Sequence, residues 1–313
     1  MSLNIDIDKR YEGAFSEYVS NVNTSLRYDA WKQYDQMVME EARPRLVGVG
    51  DLVSAGLSVN YDLGVQLALY EKTGGMTPSN ISMDGVVPSN KDNVEYASTG
   101  VPIPVFRKDF SLTKRNILAG QRNGQPTLSS EHIKQATRTV ADDMENMIFN
   151  GISLEYAGLK VQGYTNFQGR NTYTIPISWT NPSATPLKDV LNMVQEAKDD
   201  YYDGPFTLYV PRQYSSVLSD DFSAAKGSDT LKDRLEKIPS IKEVKEAPML
   251  ADDNLVLVQL TSNVVDLPVA QNIIPLEQPQ TDNMQFNFMV YSALAIRIKT
   301  DIKGNIGLVH GSL

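Results

Sequence analysis

The sequence predicts an α+β protein with one long helix as its spine and a strand-and-helix module inserted before the end of the chain. Three observations carry that expectation. The stretch that closes on Asn150-Gly151 has helical periodicity over many turns. Residues 185–283 alternate helical and strand-like runs. The stretch from Gln285 to Val309 alternates with period two, as a long strand does.

In chain order, residues 1–23 are polar and aperiodic and read as an arm. A helix follows from Asp29 to Ala42, with Trp31, Tyr34 and Val38 on one stripe and Pro44 as its stop. Leu46–Leu52 reads as a short apolar strand or turn. Gln66–Tyr70 reads as a strand, and Thr73–Asn80 and Val86–Asn90 as turn-rich tips. The segment Gly64–Gly100 is too long for a structureless loop in a compact body. It is expected to leave the body as a two-stranded excursion and return. Such a hairpin is marginal alone and needs another surface to lie on.

The long helix is expected to start at Ser129 or Ser130, with Glu131 in its first turn. Ile133, Ala136, Val140, Met144, Met147 and Ile148 form its apolar stripe. Lys134, Arg138, Asp142 and Glu145 fall off that stripe and read as a solvated face. The inserted module reads as a helix over Leu187–Tyr202, a turn at Asp203-Gly204-Pro205 and a buried strand over Phe206–Val210. Helices over Pro211–Leu218 and Thr230–Ile238 follow, then strands over Leu255–Leu260 and Val264–Ile274. Gly304 marks a turn from which Ile306–Val309 is expected to pair back on the last long strand. The first and last thirds of the chain would then share a sheet.

Composition excludes much chemistry. The 313 residues are 41 % hydrophobic and 21 % charged, an ordinary globular balance. There is no cysteine, which removes disulfides, thiolate metal sites and thiol nucleophiles. There are two histidines, His132 and His310, and both read as solvated surface residues. The formal net charge of -9, with no run of Lys or Arg, argues against a protein that grips nucleic acid by its phosphates. No window is long and apolar enough for a membrane span. Gly48-Val49-Gly50-Asp51-Leu52-Val53 matches two glycines of a dinucleotide fingerprint, with Val at the third position, and reads as a tight turn. Asp6–Arg10 starts like a calcium loop but places Arg10 at a ligand position. No catalytic, cofactor-binding or metal-ligating residue is expected, and the chain is not read as an enzyme.

The order of several short patterns carries a resemblance. They are Trp31-Lys32-Gln33-Tyr34-Asp35, Arg45-Leu46-Val47-Gly48-Val49, Pro104–Arg115, Ala136–Gly151, Gly158-Leu159, Gly163-Tyr164-Thr165-Asn166 and Gly204–Pro211. In that order the chain resembles the major capsid proteins of tailed bacteriophages and the encapsulin shell proteins, which share the HK97-type capsid fold. The resemblance implies four parts: an N-terminal arm and first helix over 1–62 and an extended loop (E-loop) over 63–106, then a peripheral domain with the spine helix over 107–180 and 282–313, and an axial domain over 181–281.

It further implies a self-assembling structural protein, a homo-oligomer of pentamers and hexamers that builds an icosahedral head around double-stranded DNA. A separate scaffolding protein and a portal are implied partners, with the packaged DNA contacted weakly and no membrane. The virion, assembled in the host cytoplasm, is the implied location. Two readings compete with it: an encapsulin-type compartment around an enzyme cargo, and an unrelated α+β enzyme. Gly50-Asp51 stands where encapsulins usually carry Gly-Pro, and the segment before the first helix and the 70–100 loop are long; these features lean toward phage. Thr73, Gly74, Gly75, Asn80, Lys91, Arg107, Lys108 and Asp109 are the expected assembly contacts.

Overall fold

The computed structural model describes residues 28–74, 81, 83, 93, 96–115, 127–220, 229–279 and 284–313, so the arm expected over 1–23 lies outside it. Helix α1 (Tyr28–Ala42) buries Val38 and half-buries Tyr34, two residues of its expected stripe, and also buries Ala42; the Trp31 side chain is outside the described residues. Leu46–Leu52 is neither strand nor turn. It enters a second helix, α2 (Val47–Ser54), whose buried Gly48, Val49 and Leu52 face the core. A short apolar run does not distinguish strand from buried helix by periodicity, and here a side chain distant in sequence decides it.

That side chain is Glu145. Strand β1 (Ser58–Asn60) and the ribbon of β2 (Leu67–Thr73) and β3 (Tyr96–Pro102) follow α2, then β4 (Val105–Thr113) and the long helix α3 (Thr127–Asn150). Helix α3 begins two residues before the expected Ser129 and spans 24 residues, about 36 Å. Its stripe of Ile133, Val140, Met144, Met147 and Ile148 is buried as read. Glu145 is a correction: it is 0 % exposed, and its carboxyl oxygens accept the Gly48 N–H at 2.6 Å and the Val49 N–H at 3.4 Å. The first turn of α2 leaves amides without helical partners, and Glu145 supplies the acceptor from across the core. Asp142 is also engaged, taking both hydrogen bonds of Arg45 Nη1 at 2.7 and 2.8 Å. We expect Glu145→Ala to cost about 1–3 kcal/mol, because the Gly48 amide loses a buried acceptor; urea melts against wild type check this.

The far end of α3 is closed by backbone contact. Gly151 has φ +67°, and a Cβ on Gly163 would lie 2.4 Å from its nitrogen. Tyr164 and Thr165 donate their N–H groups to the Ile148 and Phe149 carbonyls, which have no helical partner. A small hairpin, β5 (Ile152–Tyr156) and β6 (Leu159–Val161), and strand β7 (Asn171–Thr174) lead to α4 (Pro186–Asp199). Then come β8 (Phe206–Pro211), the short helices α5 (Ser215–Ser219) and α6 (Leu231–Glu236), and β9 (Ile241–Ala247). Thr230 and Asp233 form a reciprocal capping box at the start of α6. The chain finishes with β10 (Asn254–Val258), β11 (Val265–Glu277), β12 (Gln285–Leu294), β13 (Arg297–Ile298) and β14 (Leu308–Ser312).

Two sheets organise the strands. The first runs β1-β11-β12-β4, with β13 also on β11; β1 is parallel to β11 and the rest are antiparallel. Helices α1, α2 and α3 pack against it around one core. The first and last thirds of the chain thus share a sheet through β1 and β11. The second runs β7-β14-β10-β8-β9, with Val190, Met193 and Val194 of α4 and Leu231 and Leu235 of α6 in its core. Strand β14 does not pair back on β12 as expected. It lies between β7 and β10, because Val309 and Leu308 are apolar and need a two-sided interior position. His310, on this strand, is likewise buried and not solvated. Its Nδ1 takes the Arg170 Nε hydrogen at 3.2 Å and its Nε2 lies 2.9 Å from Asn254 Oδ1. Burial, helped by Arg170, lowers its pKa to about 4, so the ring is neutral.

Candidate assembly surface

The ribbon is held at its base and open at its outer face. Along β2 the side chains alternate. Ala68 packs with Ala293 and Ala295, the Tyr70 hydroxyl donates to the Ile298 carbonyl at 3.1 Å, and Lys72 Nζ donates to Thr300 Oγ1 at 2.8 Å. Between them sits Arg297. Its Nε and Nη2 donate to the two oxygens of Asp266 at 2.7 and 2.6 Å, and Nη1 donates to the Leu69 carbonyl at 2.9 Å and the Tyr61 hydroxyl at 3.1 Å. The guanidinium carbon lies 5.6 Å from the Tyr70 ring centroid, and Lys299 Nζ is 2.7 Å from Asp266. Arg297 and Asp266 are both buried. Tyr156 of the β5–β6 hairpin donates to Gln66 Oε1 at 2.5 Å and ties the ribbon from another side.

The opposite face carries apolar side chains into solvent. Leu69 is 61 % exposed and Tyr96 66 %. Gly100 stands opposite Leu69, and a Cβ there would meet Leu69 Cδ2 at 2.9 Å, so glycine leaves room for the leucine. Ile81 is 95 % exposed and Met83 is fully exposed. Apolar side chains exposed on an extended element mark a candidate interaction surface.

The expected contact residues divide. Thr73 closes β2 opposite Tyr96, though its side chain is outside the described residues; Gly74 follows it. Gly75, Asn80 and Lys91 lie outside the described residues. Arg107, Lys108 and Asp109 are on β4, the edge of the first sheet, but not on one face. Arg107 and Asp109 point away from α3 and pair with each other, Nε and Nη2 at 2.7 Å to the two carboxylate oxygens. The Arg107 guanidinium holds the Asp109 carboxyl below its ordinary range. Lys108 is on the face turned to α3, where its charge acts on Asp143. On that face Phe110 stacks on His132 and Phe288, ring centroids 6.0 and 5.5 Å apart. His132 is therefore exposed, as read, but not free of contacts.

Sequence reasoning missed the rest of this surface. Across the open face of the first sheet, Arg107 lies opposite Tyr291 and Tyr291 opposite Ile274, while Asp109 lies opposite Met289 and Met289 opposite Leu276. These apolar side chains are half-buried. Their signal is the odd positions of β4 and β12, which the register aligns. Among the described residues no group of His, Asp or Glu is arranged to hold a metal ion, and no helix is long and apolar enough to cross a membrane.

Comparison with solved structures gives the same fold across most of the chain. The virus-like particle from Pyrococcus furiosus matches with a TM-score of 0.63 at 18 % identity, covering 90 % of this chain and 99 % of that one. The capsid of Myoviridae phage XM1 matches with a TM-score of 0.63 at 9 % identity, covering 83 % and 90 %. The capsid of a native GTA particle matches with a TM-score of 0.57 at 8 % identity, covering 82 % and 88 %. The fold is thus the HK97-type capsid fold. No curated protein matches the sequence. Residues 21–311 match the model of a family described as "Family of unknown function (DUF6260)", and the chain belongs to that family.

Proposed function

We propose that this chain is the coat subunit of a closed icosahedral shell, the head of a tailed-phage-type particle around double-stranded DNA. The carrying observation is the ribbon. Its base is fixed to the body by buried Arg297, while Leu69, Tyr96, Ile81 and Met83 are presented to a second copy. In this reading residues 63–106 are the extended loop, and the open face of the first sheet, edged by Arg107 and Asp109, takes a neighbour's ribbon. In the same reading 107–180 with 282–313 form the peripheral part and 181–281 the axial part, with β11 of the second interval in the first sheet and β7 and β14 of the first interval in the second sheet. Scaffold and portal belong to the same proposal.

The acidic chain supports a container that confines DNA without gripping it. The chain, produced with its neighbouring genes, is expected to give closed particles far above 34.7 kDa in static light scattering, with DNA inside that resists added nuclease. A species of subunit mass under all assembly conditions refutes the shell. A second reading, a compartment enclosing an enzyme cargo, is favoured by the end-to-end coverage of the Pyrococcus particle chain. Particles without nuclease-resistant DNA, holding a co-purified enzyme, select that reading.

A further inference from the structure

The first turn of α2 rests on a buried cluster of oxygens that is short of positive charge. Glu145 accepts Gly48 and Val49 N–H from below. One turn along α2, Asp51 accepts the Tyr209 hydroxyl at 2.8 Å and Lys245 Nζ at 2.5 Å. Tyr164 is 0 % exposed, and its hydroxyl has no hydrogen-bond partner. The Tyr164 and Tyr209 rings stack with centroids 6.3 Å apart, and each meets Phe149 edge-on, so the cluster is walled by aromatic rings.

The surrounding charges are already committed. On α3 itself, Asp142 is held by Arg45; from α1, Glu41 is held by Arg138; from β11, Asp266 is held by Arg297 and Lys299. From β9, Lys245 faces Asp51 and is shared with Glu243 at 3.1 Å. Among the described residues, then, two carboxylates occupy this space with one cation, and that cation is on Asp51. Asp51 has an ammonium and a phenol to hold its charge, whereas Glu145 has only the backbone amides of Val47, Gly48 and Val49. A buried charge without a counter-ion is costly, so the proton belongs on Glu145.

We propose that Glu145 is a pH-sensitive joint between α2 and the long helix: neutral, it locks the two together; ionised, it loosens them as the solution turns alkaline. Burial, with the like charge of Asp51, pushes the carboxyl up to about 7, against the downward pull of the Gly48, Val49 and Val47 amides. Its folded value therefore stands above its ordinary 4.5. The stability it contributes is full below the ordinary value and is lost as pH rises through about 7. The neutral acid still accepts the Gly48 amide through its carbonyl oxygen. Nothing in this depends on what the chain assembles into.

The test compares unassembled full-length wild type with Glu145→Gln, which keeps the acceptor and cannot ionise. In urea melts, the wild-type folding equilibrium constant relative to the variant is expected to fall about ten- to a hundredfold between pH 5.5 and 8.5. The variant should equal or exceed wild type at the upper end. Taking the ratio cancels Asp35, pushed up to about 6 by burial, and His310, which titrate in both proteins. Parallel pH profiles, or a variant less stable than wild type at pH 8.5, overturn the proposal. Should the variant not fold, carbon-13 NMR of glutamate-labelled wild type decides: one glutamate carboxyl titrating near 7 supports the joint, and none above 6 refutes it.

Discussion

Arg297→Met is expected to cost about 3–5 kcal/mol and to release the ribbon from the body. The substitution removes a guanidinium that serves Asp266, the Leu69 carbonyl and the Tyr61 hydroxyl together. Asp266 is left buried with Lys299 alone, and the Leu69 carbonyl is left without its donor. Removing one partner of a buried pair is worse than removing both, so Arg297→Met with Asp266→Leu should recover part of the loss. The measurements are a urea melt and limited proteolysis over residues 64–102, where cleavage should rise. Arg107→Ala is the control: its pair with Asp109 is exposed and salt-screened, and its melt should change little. A wild-type melt and wild-type protection for Arg297→Met would show that the ribbon is docked by other contacts.

Deleting Thr73–Asn93 is expected to abolish closed particles while the subunit stays folded. The deletion removes the ribbon beyond Lys72, including Thr73, the partner of Tyr96, and leaves Leu67–Lys72 paired with Ala97–Pro102. The docked part, Ala68, Tyr70 and Lys72, keeps its partners in Ala293, Ile298 and Thr300. Both cores lie elsewhere. The expected result is a melt close to wild type and a light-scattering mass near that of one subunit. An unfolded deletion protein would make the ribbon part of the core, and normal particles would remove it from the assembly contacts.

The fold was legible where a single element announces itself. The α3 stripe, the α1 stripe, the buried Phe206–Pro211 strand and the excursion at 64–100 all follow from local periodicity and turn residues. What escaped was decided across the chain. Helix α2 looks like a strand because Val47, Val49 and Val53 are β-branched, and its acceptor comes from Glu145, almost a hundred residues on. Glu145 was assigned to solvent because the stripe on α3 is read as one face, while α2 covers a second. Strand β9, IKEVKEA, carries four charges and has its buried Ile241, Val244 and Ala247 three residues apart, not at the strand period of two. The surface at β4 was half legible: Arg107 and Asp109 were named, yet only the register with β12 shows that Lys108 points the other way and that Met289 and Tyr291 stand beside them.

The position of β14 has a consequence for the order in which the subunit becomes complete. Asn171 pairs with Val309, and Leu257 pairs with the same residue from the other side. Strand β7 therefore stays without a partner until a segment far along the chain arrives. The β2–β3 ribbon closes between nearer neighbours, as α3 and the β5–β6 hairpin do. Pairings that close long loops form slowly, and local ones form fast. Each new subunit thus presents an apolar ribbon before its second sheet is finished, and for that interval it is exposed to the wrong neighbour. How quickly β14 enters its slot sets how crowded synthesis can become before subunits clump.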